Sequence, residues 1–297
     1  MYMPGKPLSF ILFLLSLNLT LSCTSEFKGE FPREAPMPVI NAIITADSTI
    51  SVTLSWTRRP NSMEAFVPIT GAEILLWENN TLLDLPQETE EGVYLFNHSA
   101  KAGCIYRIEV LKSGMKTVSA TTIVPENMEA SVILEENPLG EWDKNHFKLT
   151  LGGPTDSMRG LWIVTTLNNN NGTSVEQASG LYCNSVLPDV FNRTYDSSVP
   201  DGYVYEYEFF IRIDAQSLNS TSQVLFFKPW TMSSQIDVFI ITASEDYDKY
   251  FKTAWEQKSW DPEVDLPFSY QPIFIYSNIT NGYGIFAGCN IQRFRFY

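Results

Sequence analysis

The chain has 297 residues, of which 44% are hydrophobic, 13% aromatic and only 18% charged, so it can build a full core and is not a disordered chain. Its formal net charge of −14 repels phosphate backbones and anionic headgroups, which argues against nucleic acid as a partner. Four cysteines are too few for a disulfide framework.

The first element is a leader over residues 1–22. Lys6 precedes an apolar run at 8–15, and Ser22 provides a small residue before Cys23. The run is too short, and Asn18 and Thr20 make its end too polar, for a transmembrane span. One reading is a plain secretory signal with a chance cysteine. The sharper one is a lipoprotein signal with Cys23 as the lipid attachment residue, carrying acyl chains such as palmitate. Thr20 departs from the usual lipobox. A membrane anchored to this chain would then be its first partner. Residues 23–37 read as a tether, extended by Pro32 and Pro36.

Strand-like runs begin at residue 39. They cover 39–44, 51–56, 72–77, 93–96, 105–111 and 115–123, with apolar and polar residues alternating as in Val52, Leu54 and Trp56 against Thr53 and Ser55. Lys112, Ser113 and Gly114 form a hairpin turn. Pro125, Glu126 and Asn127 break the pattern, so a domain boundary is expected there. Further strands follow at 131–135, 147–151, 161–167, 203–213, 223–227, 236–242 and 273–277. The 203–213 run is read as one long strand. Tyr203, Tyr205, Tyr207, Phe209 and Ile211 share one face, read as the inner face of the sandwich with a sugar-stacking platform as the alternative; Val204, Glu206, Glu208, Phe210 and Arg212 share the other, and its two glutamates are read as wet.

One helix is predicted near 245–257, with Ser244 as N-cap and Glu245 and Asp246 in its first turn. Tyr247, Tyr250, Phe251 and Ala254 form its apolar stripe, and Asp248 is placed to pair with Lys252. The expected fold is all-β: a prealbumin- or Ig-like β-sandwich over 38–126, then a larger C-terminal sandwich with one helix over 127–297.

The sequence shows no catalytic set. The two histidines, His98 and His146, lie in different halves and read as solvated loop residues. No His-Glu-x-x-His pair, Gly-x-Ser-x-Gly elbow or phosphate loop occurs. No cofactor or metal is expected. Asp261, Glu263 and Asp265 could offer oxygen ligands to calcium, but they read as a solvated acidic loop. With Cys23 acylated, three cysteines remain and one bridge at most can form. Cys183 and Cys289 are the candidate pair, the alternative being that all three are small buried apolar side chains.

The residues Ile236, Asp237 and Val238, then Ser244 to Tyr250, then the run YSNITNGYGIFAG from Tyr276 to Gly288 carry a resemblance. They resemble the Bacteroidota lipoprotein family catalogued as domain of unknown function forty-two forty-nine. Its motif falls here on Tyr276, Ser277, Asn278, Gly282, Gly284 and Phe286. The stretches at 69–74, 92–94 and 103–108 are similar to a prealbumin-type sandwich. The resemblance implies an outer-membrane surface lipoprotein of a kind often encoded beside TonB-dependent transporters, and no activity or ligand follows from it. With the tether, the acidic body and the absent catalytic set, the leading expectation is a non-catalytic lipoprotein, lipid-anchored in the outer membrane at the cell surface and accessory to a TonB-dependent transporter through ligand binding or docking. A fimbrial or adhesin-type subunit is the alternative, which Arg33 ahead of the first strand keeps open. A carbohydrate-active hydrolase is a third.

Overall fold

Along residues 38–56 burial alternates residue by residue. Ile40, Ala42 and Ile44 face inward while Asn41 and Ile43 face out, and Ile50, Val52 and Leu54 repeat the pattern. That period of two makes each segment a half-buried strand. The computed structural model describes residues 35–58, 63–136, 145–168, 175–194, 203–219, 221–231, 235–259 and 274–297. The expected leader, Cys23, the tether up to residue 34 and the acidic triplet of Asp261, Glu263 and Asp265 lie outside the described residues.

The first half supplies β1 (Pro38–Thr45), β2 (Thr49–Trp56), β3 (Glu73–Glu78), β4 (Thr81–Leu82), β5 (Gln87–Glu90), β6 (Val93–Ser99), β7 (Ile105–Leu111) and β8 (Val118–Ile123). The second supplies β9 (Ala130–Glu136), β10 (Asn145–Leu151), β11 (Gly160–Asn168), β12 (Val175–Gln177), β13 (Gly180–Cys183), β14 (Arg193–Thr194), β15 (Tyr205–Glu208), β16 (Phe210–Asp214), β17 (Gln223–Pro229), β18 (Gln235–Ala243), helix α1 (Glu245–Ser259) and β19 (Tyr283–Phe296). The fold is all-β, with one α-helix among the described residues.

The strands form three sheets. A nine-stranded sheet runs β12-β11-β18-β19-β1-β2-β6-β5, with β16 also on β11. A six-stranded sheet runs β14-β15-β13-β17-β10-β9, and a four-stranded one runs β4-β3-β7-β8. One core lies between the four-stranded sheet and the β1–β2–β6 side of the large one, around Ile40, Leu54, Leu76, Phe96, Tyr106 and Ile108. A second lies between the six-stranded sheet and the β11–β18 side, around Phe147, Leu149, Ile163, Ile211 and Phe227. Helix α1 covers the opposite face of β11 and β18, where Trp162, Phe210 and Ile241 meet Tyr247, Phe251 and Trp255.

Near the expected boundary at 126 the chain passes from the first core at Val124 to the second at Met128, yet Pro36–Tyr297 form one compact unit. The boundary does not divide the sheets. Strand β19 pairs antiparallel with β18 on one side and parallel with β1 on the other, Val39 opposite Tyr283. Phe286 on β19 and Ile279 just before it complete the first core.

The long strand expected over 203–213 is two strands. Phe209 takes a left-handed φ of 59°, and there the chain leaves β15 in the six-stranded sheet for β16 in the nine-stranded one. Such corners let a strand change sheets. Tyr207 and Ile211 both point into the second core from opposite sheets, while Phe209 turns out to pack on Trp255.

The candidate bridge between Cys183 and Cys289 does not form. Cys104, Cys183 and Cys289 are all free thiols. Cys183 enters the second core from β13, whereas Cys289 lies on the helix side of β19 with its Sγ 3.5 Å from Thr45 Oγ1. Burial pushes the Cys183 thiol up to about 12 and that of Cys289 up to about 11, so both stay protonated.

Candidate functional site

The closing motif turns inward. Residues 274–279 do not form the strand expected at 273–277. They carry side chains that replace backbone partners. Asn278 Oδ1 accepts from Phe286 N at 3.1 Å, and its Nδ2 donates to Phe286 O at 2.7 Å and Thr121 O at 3.3 Å. Thr280 bridges Ser119, and Asn281 Nδ2 donates to Thr117 O at 2.9 Å. Tyr276 donates its hydroxyl to Asp246 Oδ1 at 2.8 Å, and Thr122 holds the other oxygen at 2.9 Å. Ser277 Oγ accepts from Ile279 N at 3.3 Å. Gly282 lies against Pro38 O. Gly284 has a φ of 102°, and a Cβ there would overlap Ile40 O, so only glycine fits. The motif is a clasp that joins helix α1, β8, β1 and β19.

A second polar cluster fixes the helix to the sheet. Arg212 on β16 is fully buried. Its Nε and Nη2 donate to Asp248 Oδ1 and Oδ2 at 2.7 and 2.6 Å, a bidentate pair. Its Nη1 meets Asp189, and Nη2 also reaches Asp214 at 3.2 Å. Trp162 Nε1 donates to Asp248 Oδ1 at 2.9 Å. Burial lowers the Arg212 pKa, but Asp248 and its acidic neighbours outweigh that and raise it. The expected Asp248–Lys252 pair is replaced by this one, because Asp248 faces the sheet. Lys252 instead lies 3.7 Å from Asp189.

A third cluster lies in the first half. Glu78 accepts from Lys101 Nζ, Tyr106 OH and His98 Nε2 at 2.6, 2.6 and 2.7 Å. Burial raises its pKa, but these three bonds outweigh it and hold the carboxyl down to about 2. His98 is therefore not a loop residue; it lies on β6 and ties that strand to β3.

A fourth polar group lies on the six-stranded sheet. Alternate residues of the six-stranded sheet point away from the second core and line up across all six strands. Glu135 of β9 pairs with His146 of β10. The register of β10 on β17, with Phe147 opposite Phe227, brings Lys228 beside His146. Lys228 pairs with Tyr182 of β13, Tyr182 with Glu206 of β15, and Glu206 with Thr194 of β14. His146, Lys228 and Glu206 are 4%, 1% and 6% exposed. Both His146 and Glu206 were expected in water; the face on which they stand is itself buried. Burial pushes the His146 pKa down, with Glu135 opposing, so the ring is neutral near pH 7. Its Nε2 has no hydrogen-bond partner among the described residues; Glu135 Oε2 is 3.9 Å away.

Aromatic rings flank the row. Lys228 Nζ lies 5.9 Å from the centroids of both Tyr182 and Tyr203, and Tyr182 is 6.4 Å from the half-exposed Trp230. Trp230 lies flat on Gly180, where any Cβ would overlap its ring. Hydrogen-bonding groups between flat apolar rings can hold a polar ligand or a partner's side chains. Among the described residues no group of three or more His, Cys, Asp or Glu could hold a metal ion. A shallow open depression of 340 Å³, lined by Gly71, Glu73, Leu111, Lys112, Ser113, Met115 and Thr117, carries no comparable convergence.

The profile of one family matches residues 24–295. The chain belongs to the family described as Domain of unknown function (DUF4249). A search of the curated proteins finds no match. In this DUF4249 protein the motif residues recognised from sequence belong to the clasp. The row on the outer sheet face was missed, because its members come from six separate strands and share no local spacing.

Proposed function

We propose that the protein is an outer-membrane lipoprotein, acylated at Cys23 and displayed at the cell surface, that works by binding and serves a TonB-dependent transporter. The observation that supports this reading is the half-exposed ring of Trp230, which stands beside Tyr182 at the edge of the row of Glu135, His146, Lys228, Tyr182 and Glu206. The family match starts at residue 24, directly after the proposed acylation site, which agrees with a mature chain that begins at Cys23. The exposed edge of that face, marked by Trp230, is the contact surface for ligand or transporter.

Affinity purification from native membranes in mild detergent tests it. The expected result is co-purification of a TonB-dependent transporter, weakened when Trp230→Ala removes the exposed ring and unchanged in a Lys249→Ala control. Recovery of the protein without any transporter would sink the accessory role.

A further inference from the structure

The chain comes into the fold at Met37, and exposed apolar side chains gather there. Met37 N donates to Thr57 Oγ1 at 2.9 Å, and Thr57 N donates to Met37 O at 2.8 Å. Trp56 N donates to Val67 O at 2.8 Å, and Pro68 bridges Ser55. The segment 63–68 is thus held against the end of β2, beside the start of β1. Met63, Val67, Phe66 and Met37 are 97%, 61%, 55% and 37% exposed. Arg58 stacks over Phe66 at 4.5 Å and donates to Glu64 O at 2.8 Å. Exposed apolar residues scattered singly are ordinary on a soluble surface, but a group fixed together around one point is not.

We propose that this face rests in the interfacial layer of the lipid bilayer that holds the anchor. The inference depends on acylation at Cys23. Twelve residues separate Cys23 from Pro36, and these thirteen peptide steps span at most about 45 Å when fully extended. The surface around Met37 is therefore the part of the body closest to Cys23 along the chain, and such a tether gives it a high effective concentration at the bilayer. Phe66, Met63 and Val67 supply an apolar surface for the acyl boundary, and Arg58 carries its guanidinium on an apolar stem long enough to reach headgroup phosphates. The net charge of −14 disfavours anionic membranes, so a zwitterionic surface is the fitting one. Tyr297 lies at the far end of β19, which runs parallel to β1 away from Met37, and is 85% exposed.

The test uses the full mature chain with Cys104→Ser, coupled at Cys23 to a maleimide phospholipid in phosphatidylcholine vesicles, so the anchor is present whether or not cells attach one. Hydroxyl-radical footprinting read by mass spectrometry compares the anchored and free protein. Met63 and Phe66 are expected to lose several-fold in oxidation rate on anchoring, with Tyr297 unchanged, and the double variant Phe66→Ser/Val67→Ser to lose most of the protection at Met63. Equal oxidation of Met63 in both states overturns the proposal. So does protection that arises in native membranes but not in pure lipid, which would assign this face to a protein. Mass spectrometry of the protein from its own cells reports acylation separately, so the two readings fail independently.

Discussion

Asp248 shows how much a single carboxylate can hold. It receives both edges of the Arg212 guanidinium and the Trp162 indole, and both ionic side chains are almost fully buried. Removing Asp248 leaves the buried guanidinium without its bidentate partner, with only Asp189 and Asp214 to balance it. Asp248→Ala is expected to lose about 3–5 kcal/mol of stability in urea unfolding. Lys249→Ala, which breaks an exposed pair with Glu245, should shift it by less than about 0.5 kcal/mol. Glu78 sets an acid limit. Its unfolded carboxyl takes a proton near its ordinary value of 4.5, the folded one only near 2. The unfolded state therefore binds more protons between these values. The contribution of Glu78 is complete above pH 4.5 and is lost as pH falls toward 2. Denaturation midpoints measured across that window should flatten in Glu78→Gln. None of these partners was legible in the sequence. A polar residue in an alternating strand reads as solvent-facing, and neither His146 nor Glu206 carries a local sign that its outer face is buried.

At the scale of elements, helix α1 was legible because its signals are local. Ser244 caps it as expected, its Oγ accepting from Tyr247 N at 3.2 Å and also from Gly288 N at 3.3 Å. Ser244→Ala should cost about 1 kcal/mol for the cap. Any excess over the cap value in a thermal melt would report the added bond to Gly288. The stripe was right at Tyr247 and Phe251, but its last member is Trp255 rather than Ala254. The 203–213 run was misread for the opposite reason. Its alternation is unbroken in the sequence, yet the corner at Phe209 is a backbone event that no glycine or proline announces. The alternation persists because both β15 and β16 face the same core from opposite sides.

At the scale of the whole molecule, the all-β class could be read from strand periodicity. The shared sheet could not, because the pairing of β1 with β19 joins residues far apart in sequence. The first core lacks Phe286 and Ile279 without that pairing, and one edge of β1 is left open. Residues 36–126 expressed alone are therefore expected not to fold. A collapsed amide spectrum in NMR and weak near-UV dichroism would show this, and a well-dispersed spectrum would contradict it.

Strand β19 has a consequence in time. It is the last of the described strands to leave the ribosome, and it must be laid between β18 and β1 before the nine-stranded sheet is continuous and the first core gains Phe286. Throughout elongation those two edges stay open, and the growing polypeptide has no complete native state to fall into. Final closure is thereby postponed until synthesis has passed the clasp, an interval in which the bare edges of β1 and β18 are open to wrong pairing.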